Sequence, residues 1–269
     1  MRATIRQLRG SERRAERRTR RLQRDWDGLA THDAFGAILR DPAHIPEPWS
    51  TEAFFATGDA DVEVILTATA RHGLPHRYGR ALDFGCGVGR LSRGLATRFD
   101  EVVGVDISPV MISSARELNR EMSNCSFEVS SDSGLSRYDS GSFDLVLCLL
   151  VFQHLPSGAE AEQYIREFVR IVSVGGVVIF QAPSRVPLRR RVQSRRRLYT
   201  LLRALGVAED LLLGHGRLDP MRTTAVTEQR VRDAVEESGG IILESEPDAA
   251  AGPHIPGRRY VAARPSSGH

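Results

Sequence analysis

The stretch ALDFGCGVGRLSRGLA, residues 81–96, decides how the rest of this chain is read. An apolar run, Ala81-Leu82-Asp83-Phe84, ends in three glycines at alternate positions, Gly85, Gly87 and Gly89. Leu91 and Leu95 then stand one helical turn apart. The pattern is strand, tight turn, helix, which is how an open α/β sheet offers backbone N–H groups to a ligand. Glycine suits such a turn because it tolerates positive φ and, lacking Cβ, lets the backbone approach a ligand closely. The spacing is not that of a dinucleotide fingerprint. G-x-G-x-x-G needs its third glycine where this chain has Arg90, and here that glycine falls one residue earlier, at Gly89. Alone, the turn is equally a plain strand–helix connection.

Outward from this point the rhythm is that of a parallel sheet. Strands are expected at Ala81–Phe84, Glu101–Asp106, Ser126–Val129, Phe143–Leu150, Gly176–Gln181, Ile241–Glu246 and Arg258–Ala263. Helices are expected at 88–98, 109–121, 158–172 and 227–238. The runs VVGV, LVLCLLV and VVIF are nearly continuous in apolar residues, as strands covered on both faces should be. Pro109 suits a helix start, and Gly175-Gly176 reads as a turn from helix into strand. The fold class is therefore α/β: a Rossmann-like, doubly wound, seven-stranded sheet with its last strand antiparallel.

The 269 residues are ordinary for a globular protein, 41% hydrophobic and 26% charged. No apolar run reaches the roughly 20 residues of a membrane helix. The arginine-rich start lacks a following apolar segment, so no secretory signal is expected. Cys86, Cys125 and Cys148 form neither a disulfide framework nor a zinc pattern, which fits a reducing cytoplasm. No metal site is expected: His215 and Asp219 are not a ligand set. The chain contains no lysine at all. That excludes a Schiff-base lysine, hence pyridoxal-phosphate chemistry, and argues against a Walker A nucleotide hydrolase.

Three regions follow. Residues 1–70 form an N-terminal helical arm and cap, in which Leu22, Trp26 and Leu29 fall at helical spacing. Its arginine run reads as a solvated helix face rather than a nucleic-acid module, since neither interleaved aromatics nor a known motif accompanies it. Residues 71–183 and 223–264 form the core, and 184–222 interrupt it as a helical insertion after the fifth strand. That insertion falls at the carboxyl edge of the sheet, where ligands bind in such folds.

From Leu82 onward the chain resembles the class I S-adenosylmethionine (SAM)-dependent methyltransferases, in particular their small-molecule, type 11/12/25-like group. Four motifs carry the resemblance, in order. The first is Asp83 to Gly89, which implies that Asp83, Gly85, Cys86, Gly87 and Gly89 lie against the methionine and ribose parts of SAM. The second is Val102-Val103-Gly104-Val105-Asp106-Ile107-Ser108. It implies ribose binding by Asp106, whose two carboxylate oxygens suit two hydroxyls, with Ile107 and Met111 beside the cofactor. In the third, SSDSGLSRYDSGSFDLV, counting back from Phe143-Asp144 lands on Asp132, which with Ser133 would meet the adenine.

The fourth motif is Phe143 to Pro156, with Leu149 near the cofactor and Gln153-His154 just past the strand. A sulfonium methyl is already electrophilic, so alignment is the main requirement, and a base helps an acceptor lose its proton. His154 is the candidate base or orienter; a structural histidine capping the helix after Pro156 is the alternative. Cys148, mid-strand, reads as packing.

The resemblance implies a cytoplasmic enzyme that uses SAM, yields S-adenosylhomocysteine and methylates an oxygen or nitrogen of a small molecule, such as a secondary-metabolism or sugar intermediate. The expected partner is that acceptor, with no membrane or nucleic acid, in a monomer or homodimer. Two alternatives stand: an RNA or polyanion methyltransferase using the arginines, and a SAM-binding protein with a cyclase-like or structural role.

Overall fold

The computed structural model describes residues 2–39, 49–130, 135–187, 194–208, 211–215, 218, 221, 223–250 and 255–265. Two helices come first, α1 (Arg2–Ile38) and α2 (Thr51–Ala70). The core follows: β1 (Arg80–Phe84), α3 (Arg90–Ala96), β2 (Glu101–Asp106), α4 (Pro109–Leu118), β3 (Cys125–Val129) and β4 (Phe143–Cys148). A 3-10 turn (Phe152–His154) leads into α5 (Gly158–Ile171) and β5 (Val172–Pro183). Then come α6 (Ser194–Ala204), a π-turn at Leu211–His215, α7 (Glu228–Glu236), β6 (Ile241–Asp248) and β7 (Gly257–Ala263).

The strands form one sheet in the order β3-β2-β1-β4-β5-β7-β6. β7 runs antiparallel to both of its neighbours. The order reverses between β1 and β4, so the crevice of this doubly wound sheet lies at the carboxyl end of β1. The Rossmann-like reading therefore holds, antiparallel last strand included. Alternate side chains of the strands supply two cores. One contains Leu82, Val146 and Phe180 beneath α5 and α7, through Ile165, Phe168 and Val231. The other contains Ala81, Leu147 and Ile179 beneath α2 and α3, through Ile65, Leu66 and Leu95.

Local chemistry sets the helix ends. Ser50, Ser108, Ser157 and Thr227 each accept an N–H of the first turn, the caps of α2, α4, α5 and α7. Ser157 and Glu160 form the S-x-x-E pair. α1 is broken at Asp33, whose extended backbone and carboxylate, 2.9 Å from Gly36 N, restart the helix for one last turn.

Two details differ from the sequence expectation. β4 ends at Cys148 rather than Leu150, and Leu150 takes φ 61°, an uncommon conformation for a side chain with Cβ. Gly175-Gly176 is not a helix-to-strand turn. The chain passes from Ile171 into β5 directly, and Gly175, at φ 77°, lies within that strand, where a Cβ would strike His76. Among the described residues, no helix is long and apolar enough to cross a membrane.

Arg90, where a dinucleotide fingerprint would carry glycine, has a structural role. It is only 5% exposed, and its Nη1 donates to Asp61 at 2.7 Å and Thr57 at 3.1 Å, tying α3 to α2. Charge-assisted bonds of this kind are worth more than neutral ones, discounted here because half of Asp61 faces water. Arg90→Ala is expected to destabilise the fold by about 2 kcal/mol. It would be read as a lower denaturant midpoint at constant slope; an unchanged midpoint would remove this role.

Candidate active site

Gly85, Gly87 and Gly89 all have positive φ, 78°, 55° and 86°. The turn is packed tightly from above and below: a Cβ on Gly85 would meet Val151, one on Gly87 would meet Ile38 at 2.7 Å, and one on Gly89 would meet Asn119 at 2.7 Å. Glycine is therefore required by conformation and by space together. Val88 is fully buried and Cys86 nearly so, and burial pushes the Cys86 thiol well up, which suits packing and not nucleophilic attack.

Two carboxylates flank the turn. Asp106 ends β2, and its oxygens accept from Gly87 N at 3.0 Å and Ser108 N at 2.8 Å. With the Ile107 N–H also directed at it, three of about four lone-pair positions are taken and one remains for a ligand. Burial pushes Asp106 up from the ordinary carboxylate range, against the pull of its N–H donors. Asp83, only 2% exposed, accepts from Ser92 Oγ at 2.6 Å. Burial raises its pKa to about 6, with the Ser92 bond and the Arg90 charge opposing and the Asp106 charge adding. The sequence-predicted residues Asp83, Gly85, Gly87, Gly89 and Asp106 thus come together at one end of the sheet.

Others take up supporting places. Met111 is buried with Phe54, Phe55 and Val88 in a cluster that also receives Trp26, Phe35, Ile38 and Trp49. Ile107 is half-buried directly after Asp106. Leu149 is partly buried against the α2–α3 side of the sheet. Asp132 and Ser133 lie outside the described residues. Asp144, the landmark used to count back to Asp132, sits at the far end of β4. It accepts from Gly79 N, Arg80 N and Ser173 Oγ, a purely structural arrangement.

His154 ends the 3-10 turn after β4, and the cap of α5 is Ser157 rather than this histidine. Its Nε2 lies 3.1 Å from the Gln153 amide nitrogen. A Gln amide can donate, or accept after a 180° turn, so the pair can hold the ring in either protonation state. Trp26 packs edge-on against the ring at 5.2 Å between centroids. His154 also lines a cavity of about 260 Å³ between α1 and the start of α6.

Sequence reasoning missed how α1 is fastened. Asp27 accepts from Ser108 Oγ at 2.6 Å, at the positive end of α4. One residue apart, Trp26 covers His154 and Asp27 pins the end of β2. A lone Trp-Asp pair in an arginine-rich helix carries no spacing signal for this. Ser92, the partner of Asp83, was legible only as a small residue in the first turn of α3.

The N–H groups of Gly85, Cys86, Gly87 and Gly89 are bonded within the protein, to Val105, Asp106 and Cys86, so the polar groups the site offers a ligand are its carboxylates and His154. Residues 82–180 match the model of a family described as the methyltransferase domain. The chain is 37% identical over 109 residues to a ubiquinone biosynthesis O-methyltransferase of Alkalilimnicola ehrlichii, covering 40% of this chain and 43% of that protein. It is 35% identical over 104 residues to the chloroplastic tocopherol O-methyltransferase of Arabidopsis thaliana, covering 37% and 29%. The match thus spans less than half the length of these curated relatives. A solved magnesium protoporphyrin IX methyltransferase of Synechocystis PCC 6803 with bound S-adenosylhomocysteine shares the fold at TM-score 0.53 and 20% identity, covering 82% of this chain and 90% of that one. A [4+2]-cyclase shares it at TM-score 0.56 and 15% identity, covering 90% and 94%.

Proposed function

We propose that this chain moves a methyl group from SAM to an oxygen or nitrogen of a small molecule, a reading supported by the match of residues 82–180 to the methyltransferase-domain model. The observation that supports it most is Asp106. A carboxylate at the end of β2 is fixed by the backbone of the glycine turn itself, with acceptor capacity left over. The residues present fit SAM: a cradle without Cβ atoms, Asp106 for the ribose hydroxyls, and Asp83 for the amino group. SAM, when bound, supplies a methyl group already activated by its sulfonium.

The chain's own residues bind, align and deprotonate. Gly85 to Gly89 bring backbone against the cofactor, and Asp106 fixes its ribose. α1 and α2, through Ile38, Trp26 and Phe54, close the sheet edge against water. His154 takes the proton of the acceptor hydroxyl or amine, held by Gln153 and Trp26. The test is release of S-adenosylhomocysteine in the presence of a methyl acceptor. Cofactor binding without such release, across a panel of phenols, acids and amines, would favour the cyclase-like or structural alternative.

For His154→Ala the expected result is a fall in kcat of roughly 100-fold, in the range of lost general-base catalysis, at unchanged S-adenosylhomocysteine affinity. The variant's kcat should also lose the rise through neutral pH that a histidine base gives. Full turnover in the variant would remove His154 as base.

A further inference from the structure

The cavity beside His154 is unusual in its charge. Arg17, Arg18 and Arg21 of α1 and Arg196 of α6 all line it, together with Asp25. Arg21 is 3.8 Å from Asp25, and its Nη2 reaches Thr200 Oγ1 at 3.5 Å, so α1 and α6 meet here. The Arg18 charge also acts on Glu160, in the first turn of α5. Four guanidinium groups and the Asp25 carboxylate thus line one concavity. Leu22, Pro156 and Met221 complete the wall with apolar surface.

Positive charges gathered from two separate helices raise the potential for an anion placed among them. Guanidinium groups present paired N–H donors in the geometry of a carboxylate or phosphate. The cavity, about 260 Å³, is a little smaller than a usual small-molecule pocket, and arginines from two helices line it. His154 forms part of the same wall.

We propose that this cavity is the acceptor subsite, and that the acceptor is a small molecule bearing a carboxylate or phosphate held by Arg17, Arg18, Arg21 and Arg196, with its hydroxyl or amine turned to His154. The assignment rests on the methyltransferase reading for the reaction, though not for the anion site itself. It also gives Arg17, Arg18 and Arg21 of the arginine-rich helix a place in one wall of a pocket that Arg196 lines from α6.

The experiment is calorimetry on the full chain with phenyl phosphate, benzoate and the uncharged isostere phenol, each with and without S-adenosylhomocysteine. At least one anion is expected to bind roughly tenfold tighter than phenol, the scale of one charge-assisted contact pair. Which anion leads tells phosphate from carboxylate. Arg17→Gln/Arg18→Gln, and separately Arg196→Gln on the other helix, should each erase most of that preference while leaving S-adenosylhomocysteine affinity unchanged. Thermal melts of the variants check that they remain folded, and the Arg196 variant leaves α1 untouched. Equal binding of phenol and the anions, or anion binding unaffected in both variants, would overturn the proposal. So would displacement of the anions by a short oligouridylate that binds more tightly with steep salt dependence, which would give the arginines to a polyanion. Failure of S-adenosylhomocysteine to bind would count against the cofactor reading alone, because the anion titrations are also read without it.

Discussion

Asp106→Ala is expected to weaken S-adenosylhomocysteine binding by about 100-fold with the fold intact. Hydrogen bonds to a charged acceptor contribute about 1.5–3 kcal/mol each, and this carboxylate is the proposed acceptor of the ribose hydroxyls. The fold should tolerate the change for a reason visible in the free protein. The substitution strips an acceptor from Gly87 N and Ser108 N, but it also removes a carboxylate that burial holds in an unfavourable charged form. Those effects oppose each other, so stability should move far less than affinity. Asp106→Asn is the finer probe. Its amide nitrogen must sit against one of two N–H donors, so the turn itself should loosen although the side chain keeps its size. Calorimetry of both variants decides the matter. An unchanged dissociation constant for the alanine variant would mean that the carboxylate serves the turn alone and the ribose is held elsewhere. Because burial has raised Asp106, wild-type affinity should also decline as pH is lowered toward the carboxylate range.

The same residue shows what a sequence makes legible. That Asp106 would stand at the end of a strand beyond a glycine turn follows from apolar periodicity and chain distance, both short-range properties. That its oxygens would bind Gly87 and Ser108 does not, because two strands must pair first. The doubly wound sheet was likewise readable from the alternation of strands and helices. Gly175 misleads because a glycine after a helix signals a turn in local statistics, whereas here the nearness of His76 requires it. Arg90, Asp27 and Trp26 were opaque for one common reason. Each acts on an element distant along the chain, α2, α4 or the turn after β4, and such partnerships leave no period or motif. The arginines of α1 are the extreme case. Along one helix they look like a solvated face, and only the packing of α6 shows that Arg17, Arg18 and Arg21 share a concavity with Arg196 and His154.

The second large effect concerns Asp83. Its carboxyl, raised to about 6 by burial, binds a proton more tightly in the folded chain than in the unfolded one. Where a folded pKa is raised, the folded state holds more protons between the two values, so stability falls as pH rises. The contribution is fully present below the unfolded value near 4 and is lost as pH passes through about 6. Two pKa units correspond to about 3 kcal/mol. In the free protein, Asp83→Asn should therefore gain on wild type by about 2–3 kcal/mol between pH 4 and pH 7, whatever constant offset the amide introduces at its Ser92 contact. Denaturation midpoints of both proteins across that range measure the difference, and a gap that stays constant with pH would refute the raised carboxyl. Ligand should act in the opposite sense. A cationic amino group beside Asp83 would favour the charged form and draw its pKa back down, so saturating S-adenosylhomocysteine should flatten the wild-type pH slope and leave the asparagine variant's slope as it was. The pH slope thus tests the proposed contact of Asp83 with the cofactor's amino group, because only a cation brought beside this carboxyl would remove the loss of stability that its raised pKa causes.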